Sequence, residues 1–356
     1  MIVLARRIVF VAAAAAVLAG TCVASGSTTP RTSPCGAARL PAWSPDGKRI
    51  AWVGYRWPPP RHPHRVAGQI LRAICVASAD GSHVRPLRYA ECSERCAGDL
   101  IDSPDELVWK REDLLLYGDN FRIFTVPLEG RPQLLGDERG GFETFSADAR
   151  GDRVAAGSAT CPRCAGPVTV LGVPTGSVVG TVGGTSLDNV HPSLSPDGTR
   201  VVFERDTSDD SGLTLGIWTA SVDGSRLRRI AKVGAHPLWS PRGNEIAFLG
   251  RSGSLRLVSP AGQPSRAIGL GRVLAIFGWS PNGKQIAFLD SRPGLSVVDA
   301  ATGRVRALRT AGYQSGAAWS PSSRQLLATV PKPGAKCLSL WRVPVSGAKP
   351  RLVHAC

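Results

Sequence analysis

The segment Pro41-Ala42-Trp43-Ser44-Pro45-Asp46-Gly47-Lys48-Arg49-Ile50-Ala51-Trp52 decides the fold, because the chain repeats it. Its centre, Ser-Pro-Asp-Gly, is typical of a type I turn: proline presets φ at the second position, aspartate suits the third and glycine relieves the fourth. Apolar residues on both sides predict two short antiparallel strands. The segment therefore predicts a tight β-hairpin.

The hairpin returns in complete or degraded form along the chain. The apolar anchor that precedes its turn stands at Trp43, Trp109, Phe145, Leu194, Trp239, Trp279 and Trp319. Each copy is followed by a predicted third strand, a second turn and a fourth strand; these second turns centre on Gly81, Gly130, Gly176, Gly224, Gly262, Gly303 and Gly347. Units of about 40–45 residues with four strands are typical of β-propeller blades. We predict an all-β propeller of seven four-stranded blades, with the anchor strand innermost. Six blades remain an alternative, because the copy in residues 106–136 lacks Ser-Pro and glycine.

The repeated phrase resembles the WD-repeat-like family of TolB-type propellers and of propellers attached to serine peptidases. The resemblance covers residues 39–356 and implies a propeller fold; for TolB-type propellers it also implies a role in protein interaction. Two features depart from the family. Only residues 26–38 separate a predicted leader from the propeller, where TolB carries a further domain, and the sequence has no Gly-x-Ser-x-Gly elbow of a hydrolase.

The composition agrees with many short elements joined by turns. The 356 residues include 40 Gly and 28 Pro, too many for a helical bundle, and the 43% hydrophobic content excludes wholesale disorder. Lys and Arg number 43 against 27 Asp and Glu, a net charge of +16. Such a charge predicts attraction to anions.

The first residues predict export. Arg6 and Arg7 precede an apolar run over residues 8–20 and then small polar residues, which is typical of a secretory signal peptide over residues 1–25. Cys22 lies in a sequence that loosely resembles a lipoprotein box, so a lipid anchor there is an alternative. We expect a periplasmic, cell-envelope or extracellular location and a monomer that meets no nucleic acid.

The predicted loops between second and third strands, and between blades, vary most in length and share one face, which is typical of a binding face. The most distinctive of them supplies candidate partner-binding residues Arg56, Trp57, Arg61, His62, His64 and Arg65. His191 and His236 lie three residues before their anchors in adjacent blades, so both are expected at the channel mouth, where they could meet a ligand or a metal. A stiff solvated loop and strand-capping histidines are the alternatives.

Metal and cofactor signals are few. Asp206, Asp209 and Asp210 resemble the opening of a calcium loop, but the bidentate glutamate that such a loop requires is missing. An ordinary acidic turn is the favoured interpretation. We therefore predict no metal site and no cofactor.

Eight cysteines remain after the leader. Cys92–Cys96 and Cys161–Cys164 are predicted as local disulfides, since the second pair lies between β-strands rather than at a helix start. A zinc site that joins these four cysteines is the alternative. Cys35 and Cys356 are expected to meet where the last blade abuts the first, so we predict a ring-closing Cys35–Cys356 disulfide. The rival pairing is Cys35–Cys75 with Cys337–Cys356.

No catalytic constellation appears in the repeats. The sequence therefore favours an exported, non-enzymatic propeller that binds an envelope or extracellular protein or an anionic polymer. The alternative is a propeller enzyme of lyase, lactonase or glycosidase type, with its site at the channel mouth.

Overall fold

The strands follow the repeat pattern in a computed structural model that describes most of the chain. The described residues are 35–56, 70–92, 106–119, 122–136, 142–158, 166–185, 187–206, 215–262, 264–269, 271–292, 294–310, 312, 316–331 and 337–356. They belong to the unit Thr32–Cys356. The part of the chain described here contains no helix with the length and hydropathy to span a membrane.

Seven four-stranded antiparallel sheets form the ring, and each takes its strands in chain order. Blades 1 to 4 comprise β1 Ala37–Trp43, β2 Arg49–Arg56, β3 Ile70–Ser78 and β4 Arg85–Cys92; β5 Leu107–Arg111, β6 Leu114–Asp119, β7 Arg122–Pro127 and β8 Gln133–Leu135; β9 Phe142–Ala147, β10 Arg153–Ser158, β11 Val168–Gly172 and β12 Val178–Val182; β13 Asn189–Leu194, β14 Arg200–Asp206, β15 Leu215–Ser221 and β16 Arg228–Ala231.

Blades 5 to 7 comprise β17 Ala235–Trp239, β18 Ile246–Leu249, β19 Leu255–Val258 and β20 Arg266–Ala267; β21 Val273–Trp279, β22 Gln285–Asp290, β23 Leu295–Asp299 and β24 Val305–Ala307; β25 Ala317–Trp319, β26 Gln325–Pro331, β27 Leu338–Pro344 and β28 Arg351–His354. A 3-10 turn, Arg251–Gly253, joins β18 to β19. The predicted seven-bladed all-β propeller is confirmed, and residues 106–136 form a complete blade.

The Ser-Pro-Asp-Gly hairpins have the predicted geometry. The Gly47 N–H donates to the Ser44 carbonyl at 2.9 Å, and the Ser44 hydroxyl donates to Asp46 Oδ1 at 2.6 Å. Gly47 has φ +71°, a left-handed conformation that glycine adopts without a steric penalty. In the last blade Ser323 takes the same position with φ +59°. The turn geometry therefore survives where the phrase is degraded.

The core lies between adjacent blades. Among the side chains buried most completely are Trp52, Phe203, Phe248 and Phe288, which occupy equivalent positions on the second strands. Backbone-to-side-chain hydrogen bonds tie the first strands to their neighbours: the Trp239 N–H, for example, donates to Ser193 Oγ at 2.9 Å. These contacts fix the first strands around the channel.

Arginines link neighbouring blades at the outer rim. Each donates from a third or fourth strand to a carbonyl in the second turn of the next blade. The pairs are Arg85 with Leu128, Arg228 with Ala261, Arg266 with Ala300, Arg306 with Val345 and Arg342 with Ala79. Part of the arginine content is thus structural.

Among the described strands, none is exchanged between the first and last blades where the ring closes. β1 packs against β25, β26 and β27, and the His354 ring packs against Trp52 with centroids 4.9 Å apart. His354 Nε2 also contacts the carbonyl oxygen of Cys35. Gly81 approaches β28 so closely that an added Cβ would lie 2.3 Å from the carbonyl oxygen of Val353. This blade 1–blade 7 junction, the seam, is therefore held by non-covalent contacts.

The predicted Cys35–Cys356 disulfide is wrong. Cys35 pairs with Cys75 of β3, and Cys356 pairs with Cys337 beside β27, with Cα–Cα distances of 5.9 and 6.1 Å. Cys35 and Cys356 do both lie near the seam, but each has a partner in its own blade. The rival pairing is the one found. Cys96, Cys161 and Cys164, with the side chain of Cys92, lie outside the described residues.

We expect these two disulfides to stabilise the seam by holding its two sides in place. They enclose 40 and 19 residues, for which chain entropy predicts about 4 and about 3 kcal/mol respectively. The double variants Cys35→Ser/Cys75→Ser and Cys337→Ser/Cys356→Ser should each unfold at lower denaturant concentration, measured by intrinsic fluorescence. Unchanged midpoints in both variants would contradict this role.

Candidate functional site

One repeat position lines the mouth of the channel. It lies three residues before each anchor and is occupied by Leu40, Glu106, Phe142, His191, His236, Ile276 and Gly316. A cavity of about 280 Å³ at this end is lined by four of these residues, Glu106, His191, His236 and Ile276. The position is apolar or small in four blades and carries the ionisable groups in blades 2, 4 and 5.

The two histidines lie on matching bulges. The pairing of β13 with β14 skips His191 and Pro192, and that of β17 with β18 skips His236 and Pro237. His191 and His236 have φ of +49° and +51°, a region that non-glycine residues rarely occupy. Leu40 has the same bulge with φ +49°, so the bulge belongs to the repeat. Because a bulge redirects a side chain, it explains how both rings reach the mouth.

Glu204 joins the two histidines. Its Oε2 lies 2.9 Å from His191 Nδ1, and its Oε1 accepts the backbone N–H of His236 at 2.7 Å. The Glu204 side chain is only 3% exposed, whereas that of His191 is 32% exposed. The two imidazole rings lie with centroids 4.2 Å apart. One buried carboxylate thus bonds the ring of His191 and the backbone of His236 at the channel mouth.

The pKa shifts of these groups favour a neutral His236 and an ionised Glu204. Desolvation of its ring by the surrounding cavity wall and the neighbouring His191 charge lower the pKa of His236 below its usual value, although part of the side chain reaches solvent. Burial acts to raise the pKa of Glu204, but the His191 hydrogen bond and the positive histidines lower it overall. A neutral imidazole beside an ionised carboxylate is the form in which these side chains bind metals.

The donor set fits a divalent transition metal. The potential ligand atoms of His191, Glu204 and His236 all lie within 4.8 Å of one another, the one such group of three found among the described residues. Two histidines and one carboxylate are a recurrent ligand set for Zn²⁺ and Fe²⁺. A shared ion would take the place of the proton between His191 Nδ1 and Glu204 Oε2, which lie 2.9 Å apart.

Glu106 adds a fourth ionisable group to the cavity wall. Its Oε2 accepts the Phe145 N–H at 2.9 Å. Burial raises the pKa of Glu106 to about 7, although the Phe145 hydrogen bond and the His191 charge both act to lower it. A carboxyl group with such a pKa can take up or release a proton near neutral pH.

The raised pKa of Glu106 predicts a pH-dependent stability. The folded chain holds this proton more tightly than the unfolded chain, so stability falls as pH rises from the ordinary value of 4.5 to about 7. The loss is at most roughly 3 kcal/mol. Glu106→Gln should remove it, measured by denaturant unfolding at pH 5 and 8. The matched variant at exposed Glu112, Glu112→Gln, should keep the wild-type pH dependence, and an unchanged slope in Glu106→Gln would contradict the assignment.

Of the sequence-predicted site residues, the structure brings together only His191 and His236. Trp57, Arg61, His62, His64, Arg65, Asp209 and Asp210, and the side chains of Arg56 and Asp206, lie outside the described part. Partner binding by the first loop and cation binding by the acidic turn remain predictions.

Glu204 and Glu106 were missed by the sequence interpretation, although both leave a signal. Glu204 lies ten residues after its anchor, where the other well-preserved copies have Val53, Leu249, Leu289 and Thr329, all buried. An acid in a buried column marks a polar site. Glu106 occupies the same repeat position as the two histidines, so aligning the degraded copy by its anchor would have found it.

Comparison with known proteins supports the fold. Neither a protein-family model nor a curated protein matches the sequence. The chain is similar in structure to an oligogalacturonate lyase from Vibrio parahaemolyticus, with 14% identity, a TM-score of 0.65 and coverage of 88% of this chain and 92% of that one. An oligogalacturonate lyase in complex with manganese gives 14% identity, a TM-score of 0.60 and coverage of 89% and 93%.

A third similar structure is TolB from Acinetobacter baumannii, with 14% identity, a TM-score of 0.48 and coverage of 90% of this chain and 85% of that one. At these identities the two lyase structures show a shared propeller fold.

Proposed function

We propose that this chain is an exported propeller that binds a divalent transition-metal ion at its channel mouth and uses it to hold a ligand there. The observation that carries the proposal is the cluster of His191, Glu204 and His236, whose donor atoms lie within 4.8 Å of one another. Three protein ligands leave coordination positions open for water or a ligand.

The surroundings of the cluster favour a small oxygen-bearing group as the ligand. The cavity of about 280 Å³ is slightly smaller than the usual range for small-molecule sites. Its wall combines Thr144 and Ser146 with apolar residues such as Leu274 and Ile276. A carboxylate or hydroxyl group of a larger partner would fit both the cavity and the open metal positions.

Export is supported by the two disulfides, Cys35–Cys75 and Cys337–Cys356, because disulfides persist in oxidising compartments. The predicted signal peptide adds to this. An envelope or extracellular protein or polymer therefore remains the proposed class of partner.

Glu106 favours a second candidate, an enzyme that transfers a proton at the metal-held ligand. Its carboxyl group, with a pKa of about 7, lines the same cavity as the histidines, as a general acid or base requires. The oligogalacturonate lyases have the same fold, and one is described in complex with manganese. Lyase chemistry is thus one form that this candidate would take.

Metal titration tests the first proposal. Protein treated with a chelator and then titrated calorimetrically with Zn²⁺ or Mn²⁺ should bind one ion per chain, and saturating metal should raise the thermal midpoint. If neither Zn²⁺ nor Mn²⁺ binds, the proposal is overturned. Turnover of acidic oligosaccharides by the loaded protein, lost in Glu106→Gln while metal binding persists, would establish the enzyme candidate.

A further inference from the structure

The positive charge of the chain is concentrated in its last part. Residues 246–356, from β18 to the C-terminus, contain 15 Lys and Arg and only two acids, Asp290 and Asp299, a net charge of +13. Residues 1–245 contain 28 basic and 25 acidic residues, a net charge of +3. Almost all of the +16 therefore belongs to blades 5, 6 and 7.

The asymmetry arises from missing acids rather than from added arginines. Basic residues are about equally frequent in both parts, whereas acids fall from 25 in 245 residues to 2 in 111. A general preference for arginine in the composition would raise the basic content everywhere and would leave the acids in place. The distribution therefore indicates a local requirement for positive potential.

The two acids of this part are few against its 15 cations, and both make local hydrogen bonds. Asp290 is 3% exposed and pairs with Arg292 at 2.5 Å. Asp299 is half-buried and accepts hydrogen bonds from Thr302. The exposed cations include Lys284, Arg304, Arg309, Arg324, Lys349 and Arg351. The surface of these blades, which we call the basic arc, thus carries many exposed cations. Its described acids, which include Glu245 of the blade 5 hairpin turn, paired with Arg266 at 2.9 Å, are partly or fully buried.

Blade 7 gives the basic arc a concave feature. A cavity of about 460 Å³ is lined by Arg342, Lys349 and Arg351, with Gln325 and Pro344. Arg342 also donates to the Ala79 carbonyl across the seam at 3.3 Å, which fixes part of its guanidinium. Three cations around one cavity form a site for an anionic group, and guanidinium binds carboxylates in a bidentate manner.

The placement of the cations favours a flexible chain as partner. Lys284 and Arg324 lie in the first hairpin turns, Arg251 and Arg292 in the loops of the opposite face, and Arg306 on an outer strand. A flat bilayer or a rigid duplex would contact one of these faces, whereas a flexible polymer reaches all of them. Among the described residues, the large apolar side chains that are exposed include no aromatic ring, so no platform for stacked bases is present.

We infer that the basic arc of blades 5 to 7 is the docking surface for an acidic polysaccharide with a carboxylate on each repeating sugar. The inference does not depend on metal at the channel mouth, which lies between blades 2, 4 and 5. It explains why most of the net charge of +16 lies on blades 5 to 7, where it would bind the carboxylates of the polysaccharide.

The test measures binding to alginate, a carboxylated polysaccharide, by fluorescence anisotropy at increasing salt. Arg304→Gln/Arg324→Gln/Arg351→Gln removes three exposed cations of the arc. The matched control, Arg131→Gln/Arg150→Gln/Arg226→Gln, removes three exposed cations from blades 2, 3 and 4 and changes the net charge equally. We expect binding that weakens with salt, a loss of about tenfold in the arc variant and a loss of less than about threefold in the control.

Three results would overturn the inference. Equal losses in the two triple variants would show that net charge alone drives binding. Alginate binding that is indifferent to salt, or no stronger than binding to neutral dextran, would exclude a charge-based surface. Binding to anionic phospholipid vesicles without binding to alginate would assign the basic arc to a membrane instead. Circular dichroism of both variants confirms folding, and metal titration of the same proteins should be unchanged.

Discussion

His236→Ala is expected to lower the affinity for Zn²⁺ or Mn²⁺ at least about 100-fold. Mutating a residue that only orients a metal ligand already lowers metal affinity by about 10- to 100-fold, and removing a ligand itself should cost at least as much. His191→Ala should have a similar effect because its ring is held against Glu204 at 2.9 Å. The measurement is calorimetric titration of chelator-treated protein. His236 is exposed, so its replacement should leave the propeller folded.

Two further variants separate the roles within the cluster. Glu204→Gln keeps the size of the side chain but removes its charge, and it should weaken metal binding by about 10- to 100-fold. His83→Ala removes an exposed histidine of a blade 1 turn and should bind as the wild type does. Wild-type affinity in both His191→Ala and His236→Ala would exclude the cluster as the metal site.

Gly81→Ala is expected to destabilise the propeller by about 2–4 kcal/mol. The position has φ +94°, and the added Cβ would lie 2.3 Å from the Val353 carbonyl oxygen across the seam. The left-handed conformation costs about 1 kcal/mol for a non-glycine residue, and the overlap adds about 1–3 kcal/mol. Denaturant unfolding monitored by tryptophan fluorescence measures the loss.

Gly347 provides a matched control for the seam. It occupies the equivalent turn of blade 7 with φ +88°, but an added Cβ would meet nothing within 4 Å. Gly347→Ala should therefore cost only the conformational part. Equal losses in Gly81→Ala and Gly347→Ala would show that the close approach of blades 1 and 7 contributes nothing to stability.

The fold was predictable because each blade repeats the same local chemistry. The turn around Gly47 and the anchors such as Trp43 and Trp239 specify hairpins by themselves, and seven copies leave a closed ring as the arrangement that buries their faces. The position of the seam was predicted correctly, but the disulfide bond expected across it was not found. Cys35 and Cys356 do approach it, yet the within-blade partners of both cysteines depend on side-chain packing that spacing does not encode.

The site was only partly predictable, because it depends on departures from the repeat. His191 and His236 stand out as polar residues at a channel position, so their convergence follows from the propeller geometry. Glu204 replaces a buried apolar residue of the repeat, and Glu106 belongs to the most degraded copy. Their importance emerges when the sequence copies are aligned by their anchors. The pairing of Glu204 with both His191 and His236 further requires the bulge that the His-Pro sequences adopt.

The role of the net charge was also only partly predictable from the sequence. The net charge of +16 suggested a general attraction to anions, but its location in blades 5 to 7 becomes meaningful only once those residues form one continuous arc of the ring. Several of the arginines, such as Arg266 and Arg306, also bond to the next blade. Structural and electrostatic roles therefore coincide on the same side chains.

The most direct test of the central claim is an anomalous-scattering crystallographic map of the protein soaked with Zn²⁺ and collected at the zinc edge. The proposal predicts one strong peak per chain at the channel mouth, within coordination distance of His191, His236 and Glu204. A map without a peak there at saturating zinc, or with its principal peak at other residues, would contradict the metal-binding function.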